Sequence, residues 1–186
     1  MGKVRAPLNA LVTGEIGVGK STACRRVIDM AIARGHKVGG ILTPAIHDPQ
    51  GEKTGIAIVD LASREQRLLG VVDQGQPGVK VGRYRFDPES VAWGRRALEL
   101  AVDDGCDLLV VDEIGHLELR RGEGFVNALD IIPSGTVRRT LTIVRRALVG
   151  LYLQRLPGTE MRVFEVTEAN RDEMPARISE WLLPQP

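Results

Sequence analysis

The stretch GEIGVGKST, Gly14 to Thr22, lies between the apolar run NALVT and the mixed apolar and basic run ACRRVIDMAIAR. Gly14, Gly17 and Gly19 have access to backbone conformations closed to residues with a Cβ, so successive amide N–H groups can curl around one oxyanion. A helix starting near Lys20 points its positive end at the same place. In the pattern G-x-x-x-x-G-K-[ST] the lysine, here Lys20, reaches the outer phosphates of a nucleotide as a cation. The Ser21 hydroxyl ligates the Mg2+ that bridges those phosphates. Glu15, Ile16 and Val18 fill the loop, and Thr22 completes the nucleotide-binding stretch. The context fits: NALVT is short and β-prone, and Ala23, Val27, Ile28 and Ala31 recur at helical spacing until Gly35 ends the helix. Cys24 reads as a small core residue rather than a nucleophile.

A nucleotide loop needs a carboxylate across the site, and CDLLVVDEIGHLEL supplies one. The apolar run before Asp112 describes a strand buried on both faces, as in a parallel sheet covered by helices. Its end is where a side chain faces the phosphates, so Asp112 is the candidate for the metal shell together with Ser21. Glu113 follows directly and is the candidate to accept a proton from a water attacking the terminal phosphate.

The remaining sequence alternates. VGGILTPAI and TGIAIVDL read as a hairpin around HDPQGEK, and RLLGVV as a further short strand. DQGQPGVKVGRYRF reads as a glycine-rich, basic surface connection. Asp87 caps a helix that opens with Pro88 and ends before Gly105. GFVNALDII, RALVGLYLQRL and DEMPARISEWLL read as helices, with Asp172 capping the last; TLTIV and MRVFEV read as strands. The expectation is one α/β domain over residues 1–186, a three-layer sandwich with a mainly parallel central sheet and an added β-hairpin. With 186 residues, 43% of them hydrophobic, the chain can bury one good core. A formal net charge of +1 gives no field strong enough to hold a nucleic-acid backbone or an anionic membrane. Cys24 and Cys106 form no disulfide framework or metal pair, and His36, His47 and His116 lack metal-ligand spacing. The run after Lys3 and Arg5 is too short for a leader and nothing approaches a membrane span, so a cytoplasmic location is expected.

These residues resemble the small thermophile-type nucleoside-triphosphatases, a family related to the human cancer-related nucleoside-triphosphatase. The resemblance spans nearly the whole chain through GEIGVGKST, GGILTP, VGRYRFD, VVDEIGHLEL and EVTEANRDEMP. It implies magnesium-dependent hydrolysis of several nucleoside triphosphates (ATP, GTP, CTP, UTP) to diphosphate and phosphate, on a core similar to that of RecA-type P-loop NTPases. In that core TLTIV inserts beside the nucleotide-loop strand, and its tip brings Arg145 near the terminal phosphate; Arg83 and Arg171 are alternatives. The chain departs from the family pattern at Ala45, His47, His116 and Leu117.

Two other functions share these motifs. A nucleotide kinase needs an acceptor pocket and a mobile arginine lid, for which Arg83 and Arg85 are the candidates. A guanine-nucleotide switch is suggested by DEIG and NRDE, but Glu173 stands where guanine selection needs an aspartate. Asn170 and Arg171 are expected to border the base, with Tyr84 and Trp93 as stacking partners.

Overall fold

The computed structural model describes residues 6–184; Lys3 and Arg5, on which the expectation about a leader rested, lie outside them. β1 (Leu8–Gly14) runs into the glycine loop and α1 (Lys20–Ala33), then β2 (Val38–Leu42), β3 (Ala45–His47), β4 (Lys53–Asp60) and β5 (Gln66–Val72). β6 (Val79–Val81) and β7 (Tyr84–Phe86) precede α2 (Pro88–Asp103) and β8 (Leu108–Ile114). The chain closes with α3 (Ala128–Ser134), β9 (Arg139–Val144), α4 (Val149–Arg155), β10 (Arg162–Val166) and α5 (Met174–Leu182).

The strands form one sheet of order β10-β1-β9-β8-β2-β4-β5-β7-β6, with β3 paired to β4 off this path. From β10 to β2 every pairing is parallel. From β2 outward every pairing is antiparallel, so β3 to β7 make a wing on one side of the parallel core. β9 lies between β1 and β8, as the resemblance implied.

Alternation along the central strands explains the layers. In β8, Leu108 and Val110 pack with Val27, Ile28 and Ala31 of α1 and Ile178 of α5 on one face. Leu109 and Val111 pack with Leu98 of α2, Ile132 of α3 and Tyr152 of α4 on the other. A strand covered on both sides must be apolar throughout, which is why LLVV shows no alternation of polarity. Cys24 is fully buried in the first of these cores.

Two expectations are corrected. DQGQPGVKVGRYRF is not a plain surface connection: VKV and YRF pair antiparallel as β6 and β7, turning at Gly82 with φ +58°. Asp73 anchors this hairpin through Arg85 at 2.8 Å and Lys80 at 2.9 Å. Those two hydrogen-bonded cations hold its carboxyl well below the usual carboxylate range. The second correction concerns Asp172. It does not cap α5, whose N-cap is Glu173 with no side-chain cap bond. The turn is instead closed by Asn170, which accepts from Thr167 N at 2.8 Å and donates to Glu165 O at 3.0 Å. No helix among the described residues is long and apolar enough to cross a membrane.

Candidate active site

The glycine loop has the backbone shape its composition calls for. Gly19, at φ +106°, is the N-cap of α1, and no side chain caps that helix and no acid lies in its first turn. The first-turn N–H groups therefore keep their hydrogen-bonding capacity for an anion. A Cβ on Gly14 would collide with the Val166 carbonyl of β10, so the loop leaves β1 in close contact with its neighbour. Lys20 is buried at 8% exposure, and its ammonium donates to Gly14 O at 3.0 Å and Glu15 O at 2.7 Å. Burial lowers its pKa, Glu113 and Asp112 pull it back up, and Arg145 lowers it further.

Asp112 is buried near the end of β8 at 3% exposure. Among the described residues its carboxylate accepts one hydrogen bond, a long one of 3.3 Å from Thr43 N. Burial foremost, and then Glu113, push its pKa up to about 7. A buried carboxylate with unfilled lone pairs and a raised proton affinity is suited to a cation, and a hard, oxygen-seeking divalent ion fits a carboxylate and a serine hydroxyl. Asp112 and Ser21 line the same cavity, so the donor set fits Mg2+.

Glu113 and Arg145, from the tips of β8 and β9, form an ion pair in which Arg145 Nε donates to Glu113 Oε1 at 2.5 Å. The adjacent Arg146 bridges Glu15 of the loop at 3.4 Å and Glu165 of β10 at 3.1 Å.

These groups converge on one cavity of about 810 Å3, lined by Gly17, Gly19, Lys20, Ser21, Thr22, Asp112, Glu113 and Arg145. Ile16 borders it as well, whereas Gly14, Glu15 and Val18 do not line it. A separate groove of about 770 Å3 between α1 and the wing shares Arg25, Pro44 and Ala45 but contains neither carboxylate.

The other candidates lie elsewhere. Arg83 Nε donates to the Tyr84 hydroxyl at 3.0 Å and its NH2 group to Lys53 O at 3.0 Å, and Arg85 is held by Asp73, so both are committed within the wing. Tyr84 lies beneath Lys53 and Arg83, and Trp93 beneath Arg67 at 4.7 Å, so cations cover both aromatic rings. Arg171 stands beside the loop, its Cδ within 3.9 Å of where a Gly19 Cβ would be, while the Asn170 side chain is spent on its own turn. Sequence reasoning missed Thr43, whose N–H reaches Asp112, and Glu118, a carboxylate buried at 4% that also lines the cavity. Glu118 left a signal: an acid between the two leucines of LEL.

A family model described as NTPase matches residues 9–179. The nucleoside-triphosphatase THEP1 of Methanosarcina barkeri is 35% identical over 174 residues, covering 92% of this chain and 95% of that protein. That of Methanopyrus kandleri is 33% identical, covering 95% and 96%. The crystal structure of THEP1 from Aquifex aeolicus superposes with a TM-score of 0.73 at 22% identity, over 95% of this chain and 99% of that one. The solution structure of a human cancer-related nucleoside triphosphatase gives 0.72 at 24% identity, over 96% and 99%.

Proposed function

Since this chain belongs to the NTPase family and is a nucleoside-triphosphatase, we propose that it hydrolyses several nucleoside triphosphates to diphosphate and phosphate with Mg2+, using Glu113 as the base. The observation that carries this reading is the convergence of Lys20, Ser21, Asp112, Glu113 and Arg145 on one cavity. The loop amides and Lys20 bind the outer phosphates. Ser21 and Asp112 hold the metal, which when bound neutralises charge developing on the phosphate oxygens. Glu113 accepts the proton of the attacking water, and Arg145 exchanges its bond to Glu113 for the terminal phosphate. That exchange frees a carboxylate oxygen when the substrate arrives.

Base selection is weak in this reading, because cations already lie over the Tyr84 and Trp93 rings that would stack on a base. Two observations favour water over the other outcomes. The arginines that would form a kinase lid are held in the wing, and the asparagine that would read guanine is bonded to its own turn.

Glu113→Gln tests the proposal. It keeps size but removes the basic oxygen and releases Arg145 from its ion pair, so triphosphate affinity does not fall. The single-turnover rate at saturating magnesium and triphosphate falls by ~10²- to 10⁴-fold. A rate within a few-fold of the parent places water activation elsewhere.

A further inference from the structure

The cavity continues past the groups that hydrolysis uses. Beyond Glu113 its wall is formed by Ile56, Leu69, Val81 and Phe86, one from each of β4 to β7, and by Leu117 and Phe125 of the connection after β8. Leu69, Leu117 and Phe125 are core residues, whereas Ile56, Val81 and Phe86 are half-buried and present apolar surface to the cavity. Every phosphate-handling group comes from the parallel core and its loops, so most of this chamber is built by the antiparallel wing, which phosphate binding does not need.

Glu118 is a polar fixture of the chamber, held by the backbone. Glu118 Oε2 accepts from Gly115 N at 2.8 Å and Oε1 from Phe125 N at 2.9 Å, which fixes the carboxylate and leaves each oxygen a further lone pair. Lys53 and His47 border the same cavity. Arg171 does not; it stands beside Gly19 after β10, and β10 and the wing lie at opposite ends of the sheet, so the flank at Arg171, where the sequence leads one to expect the base, is apart from the chamber.

We infer that the chamber is a subsite for a second organic ligand, bound together with the triphosphate. The ligand is a small molecule with an apolar, ring-sized body and a hydroxyl or amine donor turned toward Glu118 and Glu113. The inference rests on the reading of Glu113 as the group beside the terminal phosphate. A ligand seated there occupies the space from which water approaches, so it slows hydrolysis without competing for the phosphate cradle.

The probe is 2-naphthol, titrated by its fluorescence against the full chain saturated with magnesium and a non-hydrolysable triphosphate analogue. Equimolar, saturable binding is expected with the analogue in place, weakened by about tenfold or more in Val81→Arg, which puts a charge into the apolar wall. Naphthol is expected to lower the parent's rate of phosphate release at saturating triphosphate, and the variant's rate no longer responds to it. Ile56→Lys serves the same purpose should Val81→Arg fail to fold. Displacement of naphthol by the analogue overturns the inference by giving the chamber to the nucleoside; undiminished binding in both folded variants, or no saturable binding, overturns it as well. Loss of the base assignment is read separately: Glu113→Gln with unchanged hydrolysis and intact naphthol binding removes the base and leaves the subsite.

Discussion

Lys20 holds two carbonyls of its own loop, and it is the cation fixed inside the nest. Lys20→Ala removes that charge from the place the outer phosphates occupy, so calorimetric titration is expected to show triphosphate affinity falling by at least ~10²-fold. Unchanged affinity would remove the lysine from phosphate binding. Asp112 makes a prediction of a different kind, because a buried carboxylate proposed to serve a metal is left costly without one. Its folded pKa, about 7, lies above the ordinary value of 3.8, so the folded chain binds this proton more tightly than the unfolded chain does. Stability is therefore lost as pH rises from about 4 through about 7, and above that the full penalty, of the order of a few kcal/mol, is present. In the absence of metal and nucleotide, Asp112→Asn is expected to melt at a higher temperature than the parent at about pH 8, with the advantage shrinking toward about pH 4. The same variant loses magnesium affinity and turnover together. A melting temperature no higher than the parent's at the alkaline end contradicts the account of this carboxylate as buried and uncompensated.

The elements were legible wherever a local rule was strong. The α2 cap is one case: Asp87 accepts from Ser90 N at 2.9 Å and from Ser90 Oγ at 2.7 Å, ahead of a proline in the first turn. Asp87→Ala is expected to cost about 1 kcal/mol, seen as a lower denaturant midpoint, with turnover unchanged because the cap lies outside the phosphate machinery. β8 was legible for a similar reason, since an unbroken run of four apolar residues describes a strand buried on both faces. The wing was only partly legible. Its hairpin β3–β4 and strand β5 read correctly, but β6 and β7 are each only three residues long, and their glycine-rich surroundings hide the alternation in VKV and YRF. The ion pairs of Asp73 that hold them are side-chain contacts between segments, which no local pattern records. The α5 cap failed differently. Asp172 satisfied the local rule, but Asn170 closes the turn two residues earlier and leaves the aspartate exposed, facing Arg26 at 3.9 Å. Thr43 was missed because its N–H meets Asp112 only in the fold, across 69 residues of sequence, whereas Glu118 is held by nearby backbone N–H groups of Gly115 and Phe125 and left its signal in LEL.

At the scale of the whole molecule, a parallel core gathers the phosphate groups and an antiparallel wing widens the cavity beyond them. In the proposed mechanism every group comes from this chain: Lys20 and Ser21 from the start of α1, Asp112 and Glu113 from β8, and Arg145 from the end of β9. With Arg145 already paired to Glu113, the proposed mechanism calls for no arginine from another protein, in contrast to nucleotide switches that depend on a partner's arginine. The most direct measurement is free phosphate released when the purified chain is incubated with magnesium and each of ATP, GTP, CTP and UTP, with no acceptor and no second protein. The account expects all four to be hydrolysed, with efficiencies within roughly a hundredfold of one another, because phosphate contacts dominate over base contacts. Release confined to GTP, or no release from any of the four until a second protein is added, would contradict it.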